Sequence, residues 1–176
     1  MAATYAMCGF APAALDLYER ALALADNEGD RQYTYSSIAG AYHSAAQPEQ
    51  DAHERERLLH AGLHAANAAL QPEGATELLA LSGARAQRSM ILAEIGQYQE
   101  ALVDARAARQ LAVEHGIREE QIIAMSGEAM ALWGCNRNPD VLDLIDETLT
   151  LAREVGFTEF LGPILRLEIE VLWTVG

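Results

Sequence analysis

Apolar residues recur along this chain at the three- and four-residue steps that place side chains on one face of an amphipathic helix. The stretches AALDLYERALALA (13–25), YQEALVDARAARQLAVEHG (98–116) and PDVLDLIDETLTLAREVG (139–156) all follow this spacing. The last two end in a glycine, which can adopt the left-handed conformation that closes a helix. The pattern therefore predicts helices with glycine at their C-terminal ends.

Two alternating sets of helices account for the whole pattern. One set, called B helices here, is predicted at about 11–27, 49–70, 98–115 and 138–155. The other set, the A helices, is predicted at about 31–46, 74–95, 118–135 and 158–175. Pro12, Pro48 and Pro139 fall at the predicted starts of B helices, where a missing N–H costs nothing. The chain is predicted to be all-α and to form antiparallel helix pairs.

The pattern repeats with a period of about forty residues. LAVEHG (111–116) and LAREVG (151–156) are forty residues apart, and so are Trp133 and Trp173, the only two tryptophans. LADNEG (24–29) lies 87 residues before LAVEHG, which leaves room for two slightly longer periods, with ALQPEG (69–74) as a looser intermediate copy. Several coincidences at one interval indicate a structural repeat.

The repeated unit resembles the tetratricopeptide repeat. GFAPAALDLYERALAL (9–24) and GQYQEALVDARAARQL (96–111) resemble its second helix, NRNPDVLDLIDETLTL (136–151) is a weaker copy, and YSSIAGAY (35–42) resembles its first helix. The residues that carry the likeness in the two stronger copies are Gly9, Ala14, Tyr18 and Ala21, then Gly96, Tyr98, Ala101 and Ala108. The resemblance implies a right-handed α-solenoid of about four repeats. The long period is similar to that of repeats in bacterial signalling and transcription regulators, and armadillo or HEAT arrays are the alternative.

Both ends of the sequence are expected to fall inside repeats, so that residues 1–176 form one repeat domain of a longer protein. In this interpretation residues 2–8, with Tyr5, are the tail of a first A helix, and Gly176 lies in the turn after the last one. That last helix, FLGPILRLEIEVLWTVG (160–176), is apolar on nearly every side, which predicts burial all round. Either a further repeat or a second copy of the chain is expected to cover it.

In proteins with such arrays the concave face, built mainly from A helices, usually binds a peptide or a partner helix. The resemblance places twelve residues in this groove: Tyr33, Ser36, His43, Gln87, Met90, Glu94, Ser126, Met130, Trp133, Arg166, Glu170 and Trp173. Trp133 and Trp173 are candidate apolar anchors, because tryptophan is favoured at binding hot spots. The alternative is that both belong to the core between repeats.

The negative charge of the chain argues against some classes of binding partner. The formal net charge is −14 and the chain has no lysine, so direct binding to nucleic acid phosphates is not expected. No apolar run reaches the ~18 residues that suggest a membrane span. Arg85 and Arg88 could receive an acidic tail, but the lysine and asparagine clamp of chaperone-binding tetratricopeptide proteins is absent, so local ion pairs are favoured. A cytoplasmic protein is expected.

No arrangement of residues indicates catalysis. His53, His60 and His64 share one side of a predicted helix, but a single helix rarely supplies a closed metal site, and surface histidines are favoured. Cys8 and Cys135 form no motif. We expect no enzyme activity, no metal and no cofactor.

The sequence indicates a scaffold for a protein or peptide partner, or for a homodimer through the C-terminal helix. The alternative is the regulatory segment of a larger bacterial signalling protein, a transcription activator or a nucleotide-cyclase-type enzyme, where it mediates dimerisation or effector binding.

Overall fold

The computed structural model describes residues 11–71, 78–136, 139, 141–157 and 161–175. Within these ranges the chain is all-α, without strands. The helices are α1 (Ala11–Ala23), α2 (Glu28–Ala46), α3 (Ala52–Leu70), α4 (Leu78–Glu94), α5 (Tyr98–His115), α6 (Arg118–Asn136), α7 (Val141–Val155) and α8 (Leu161–Val175). None of these helices is long and apolar enough to cross a membrane.

The helix boundaries agree with the periodicity at most positions and differ at two. The first helix ends at Ala23 because Asn27 caps α2, accepting a hydrogen bond from the Asp30 N–H at 2.9 Å. Gly29 therefore lies in the first turn of α2 and does not close a helix. Asp51 caps α3 in the same way, so Pro48 precedes the helix by several residues. The predicted features at residues 2–8, Gly9 and Gly74 lie outside the described residues.

Glycines in the left-handed conformation end two of the B helices. Gly116 and Gly156 follow α5 and α7 with φ of +69° and +77°, which confirms their prediction as C-caps. Gly96 makes the turn between α4 and α5 with φ of +84°. A side chain at any of these positions would strain the backbone.

The helices pack in an alternating pattern. Each of α2, α4 and α6 contacts the next even-numbered helix, and each of α3, α5 and α7 contacts the even-numbered helices before and after it. Helix α1 contacts α2. Within the described part of the chain, helices more than two places apart do not pack against each other. The core is therefore a continuous band along the row of helices.

Small residues let these helices approach closely. On α5, four of the buried residues are alanines, and Ala101, Ala105, Ala108 and Ala112 are completely buried. A Cβ added to Gly127 on α6 would overlap the Ser89 side chain on α4. The larger apolar side chains gather in several clusters, among them one around Leu59 and Ile91 and another around Ile145 and Ile164.

Buried carboxylates link neighbouring helices through arginine. Asp104, which is 1% exposed, accepts hydrogen bonds from Arg85 at 2.9 Å and from Arg88 at 2.5 and 2.9 Å. Glu128 on α6 lies 3.1 and 3.2 Å from Arg106 and Arg109 on α5. The local ion pairs favoured for Arg85 and Arg88 are thus present.

Candidate interaction surfaces

The twelve residues predicted to line a groove lie in two different environments. Buried side chains belong to Ser36, His43, Gln87, Met90, Glu94, Ser126 and Trp133. Met130 is half-buried, and the exposed members are Tyr33, Arg166, Glu170 and Trp173. Some of the buried members pack at the contacts between successive A helices, as Gln87 does against Gly40. They are not accessible to a partner in this conformation, so the accessible part of the predicted set lies mainly on α8.

The two tryptophans, forty residues apart, have opposite environments. Trp133 is 2% exposed, belongs to the apolar cluster of α6, α7 and α8, and donates a hydrogen bond from Nε1 to Glu170 Oε1 at 2.9 Å. It is a core residue, which is the second of the two alternatives. Trp173 is 89% exposed.

Helix α8 has two apolar stripes. The first packs into the cluster with α6 and α7 and consists of Ile164, Leu167 and Val171. The second, which we call the α8 stripe, consists of Leu165, Ile169, Leu172 and Trp173, which are 38%, 67%, 51% and 89% exposed. Its spacing of four, three and one residues is that of an amphipathic helix face. The α8 stripe is thus built like a buried face but lies in solvent.

The equivalent stripe on α6 shows how such a face is covered. Forty residues before the α8 stripe stand Met125, Ala129, Leu132 and Trp133, three of which are at most 2% exposed, while Leu132 is half-buried. Ala129 and Trp133 pack against apolar residues of α7 and α8. In this chain, therefore, the face is buried by the following helix pair.

A second feature is a polar cluster centred on Glu94, at the C-terminal end of α4. His43 Nε2 lies 2.9 Å from Glu94 Oε1, Gln47 donates to the same oxygen at 2.5 Å, and Arg55 binds the other oxygen. Burial raises the pKa of Glu94, but the hydrogen bond and charge of His43, with Gln47 and Arg55, outweigh it and lower the pKa to about 2. The carboxylate is therefore ionised at neutral pH.

Arg166 on α8 joins this Glu94 cluster from a distant part of the sequence. Its guanidinium donates to Gln47 Oε1 at 2.8 Å and lies 3.9 Å from Glu94 Oε1. His43, Glu94 and Arg166 belong to the predicted groove, whereas Gln47 and Arg55 are not among the predicted residues. Contacts that span 39 to 119 residues leave no local pattern that could have indicated them.

Glu120 is a buried carboxyl group of a different kind. It lies close to Gly83 on α4, since a Cβ added to Gly83 would sit 3.2 Å from Glu120 Oε1 and 3.0 Å from Ser36 Oγ on α2. No group among the described residues makes a hydrogen bond to its Oε2 atom. Burial, and then the charge of Glu119, raise the pKa of Glu120 to about 7.

The histidines proposed as surface residues lie at the surface. His53, His60 and His64 are exposed on α3. Among the described residues, no group of three or more His, Cys, Asp or Glu side chains is arranged to hold a metal ion. Comparison with known protein families, with characterised proteins and with solved structures finds no match to this chain.

Proposed function

We propose that this chain is a right-handed α-solenoid of tetratricopeptide-like helix pairs and acts as a non-catalytic interaction scaffold. The alternating contacts of odd- and even-numbered helices support this architecture, because each helix pair buries its face only on its neighbours. The forty-residue equivalence of α6 and α8 supports it as well. The proposed docking surface is the α8 stripe.

The contrast between the two tryptophans carries this proposal. Trp133 and Trp173 occupy equivalent places on equivalent helices, yet one is 2% and the other 89% exposed. Single exposed apolar residues are common at protein surfaces, whereas a contiguous apolar stripe with helical spacing marks an interaction site. The stripe ends in an exposed tryptophan, a residue type enriched at binding hot spots.

The occupant that fits this surface is an amphipathic helix of a partner protein. In the chain itself, α7 helps to cover the equivalent face of α6 with a stripe formed by Val141, Ile145 and Leu149. A partner helix needs a similar stripe. Complete burial of a large apolar side chain contributes about 1.5–3 kcal/mol, so Ile169 and Trp173 together supply roughly 3–6 kcal/mol before the cost of association.

A peptide with the sequence of residues 139–156 provides a defined probe, because it contains the α7 stripe and no tryptophan. Titrated into the protein, it should shift the fluorescence of Trp173 to shorter wavelength as the indole leaves water. Ile169→Glu should weaken binding at least tenfold. Val103→Glu on α5, a matched control at a position that is also 67% exposed, should leave binding unchanged.

The docking proposal is wrong if the peptide leaves the emission unchanged, or if Ile169→Glu and Val103→Glu bind equally well. Sedimentation of the protein without peptide tests the other occupant. A dimer that Ile169→Glu dissociates and Val103→Glu does not would assign the stripe to a second copy of the chain in place of a partner helix. A monomer at all concentrations agrees with the partner helix.

A further inference from the structure

We propose that the groove between α1 and α3 binds a small apolar amine, a molecule with one aromatic or alkyl group and one ammonium group. This α1–α3 groove has a volume of about 440 Å³ and is bounded by Leu15 and Leu22 on α1, Ile38 on α2, and Ala61 and Ala65 on α3. Its volume lies in the range of small-molecule sites, roughly 300–1,000 Å³. None of its residues belongs to the α8 stripe, so it does not depend on the proposed docking of a partner helix.

The grooves between the later B helices are crossed by polar bridges. Between α3 and α5, Arg88 of α4 donates to Asn67 Oδ1 on α3 at 3.0 Å and to Asp104 Oδ1 on α5 at 2.9 Å. Between α5 and α7, Arg109 donates to Glu147 Oε1 at 3.0 Å. The space beside Arg109 has a similar volume, about 450 Å³, but most of its lining residues are charged or polar. Charged groups therefore cross or line the grooves that correspond to the α1–α3 groove.

The α1–α3 groove has no such bridge. Among the described residues, no hydrogen bond or ion pair joins α1 to α3. Ile38, which is 8% exposed, lines the groove from α2. Ala61 and Ala65 line it from α3, and their single methyl groups fill little of the space. An open apolar surface thus remains between the two helices, and a ligand that removes it from water gains free energy.

Two tyrosines give the groove an aromatic surface. Tyr35 and Tyr42 both line it from α2 and are half-buried. They are two helical turns apart, about 10 Å along the helix axis. Aromatic rings pack against other rings and attract ammonium groups to their faces. A ligand with a ring at one end and an ammonium group at the other matches this lining.

The charge of the lining selects a cation. Glu19 on α1 and His64 on α3 are the other ionisable residues that line the groove, and no described arginine does so. Arg57 on α3 donates to Glu54 at 2.7 Å, so its charge is balanced outside the groove. The overall charge of −14 adds to the negative potential. An anion of the same shape is therefore repelled.

Three probes of similar shape test the site: phenylbutylammonium, phenylbutanol and phenylbutyrate. In NMR titrations the ammonium compound should cause saturable chemical-shift changes at the backbone amides of Ile38, Ala61 and Ala65, with millimolar affinity. The alcohol should bind more weakly and the carboxylate most weakly, because Glu19 attracts only the cation and repels the anion. Equal binding of the ammonium compound and the carboxylate would overturn the proposal. So would the absence of saturable changes in the groove.

Matched variants separate the charge from the apolar surface. Glu19→Gln should lower the affinity for phenylbutylammonium roughly two- to fivefold and leave that for phenylbutanol unchanged. Asp16→Asn, at an exposed position on the same helix but outside the groove, should change neither. Ala61→Leu should abolish binding by filling the groove, whereas Ala107→Leu, at a half-buried position on α5, should not.

Native affinity in Ala61→Leu would contradict the proposed site, and equal affinities of Glu19→Gln and Asp16→Asn for phenylbutylammonium would contradict the selection of a cation. Glu19 is exposed, so the Glu19→Gln test does not require any change in the core. None of these results bears on the α8 stripe, because the peptide titration does not involve α1 or α3.

Discussion

Replacing Glu120 by glutamine should remove a large part of the pH dependence of this protein's stability. The Glu120 carboxyl group is buried close to Gly83, and its Oε2 has no hydrogen-bond partner among the described residues. Its pKa rises to about 7 from an ordinary value of 4.5. Ionisation in the folded state is therefore unfavourable. Glutamine has nearly the same shape and stays neutral at every pH.

Proton linkage gives the direction in which the stability of the folded state changes with pH. Since the folded pKa lies above the unfolded pKa, the folded state binds more protons between these values, and stability falls as pH rises from about 4.5 to about 7. Each unit of pKa difference is worth about 1.36 kcal/mol, which sets an upper limit of about 3.4 kcal/mol. From pH 5 to pH 8 the free energy of unfolding of the native protein should fall by about 2–3 kcal/mol relative to that of Glu120→Gln.

Urea denaturation followed by circular dichroism at a series of pH values measures this difference. Glu100→Gln, at an exposed position on α5, controls for the loss of one negative charge and should follow the native curve. Other groups titrate in this range, so the test is the difference between curves and not their shape. Parallel curves for the native protein and Glu120→Gln would refute the reasoning.

Five further substitutions, used in three experiments, probe the packing. Asp104→Ala should lower the free energy of unfolding in urea by about 2–4 kcal/mol, because Arg85 and Arg88 lose their buried carboxylate partner. A loss below about 1 kcal/mol would show that the pairs are not coupled to folding. Gly127→Ala should lower the free energy of unfolding by about 1–3 kcal/mol through overlap with α4. Gly162→Ala should be neutral or slightly stabilising, because the added Cβ meets no atom of the described residues within 4 Å. Iodide should strongly quench the fluorescence of Trp133→Phe and hardly affect Trp173→Phe, since only Trp173 is exposed.

Features that depend on local spacing could be predicted from the sequence. The apolar periodicity indicated the eight described helices, and Gly116 and Gly156 marked two helix ends because a left-handed C-cap requires glycine. Gly29 ends LADNEG, the earlier copy of LAVEHG, but no helix ends there. Its neighbour Asn27 caps the next helix instead, and the competition between a C-cap and an N-cap two residues apart is not visible in the spacing.

Features that depend on which helix covers which face could not be predicted in this way. Trp133 and Trp173 have equivalent sequence positions and differ only because α7 and α8 cover the first. The acidic run that contains Glu120 is typical of a solvated helix start, yet Glu120 is buried by α2 and α4. Gln47 and Arg55 join Glu94 only after three helices have packed.

Photo-crosslinking from position 173 tests most directly whether the α8 stripe binds a helix as α6 does. A benzophenone amino acid in place of Trp173 is illuminated in the presence of the peptide of residues 139–156, and the crosslinked peptide position is mapped by mass spectrometry. Crosslinks should fall on Val141, Ile145 or Leu149, the residues that pack with Trp133 in the chain itself. Crosslinks to the opposite, acidic face of the peptide, or none at saturating peptide, would contradict this account.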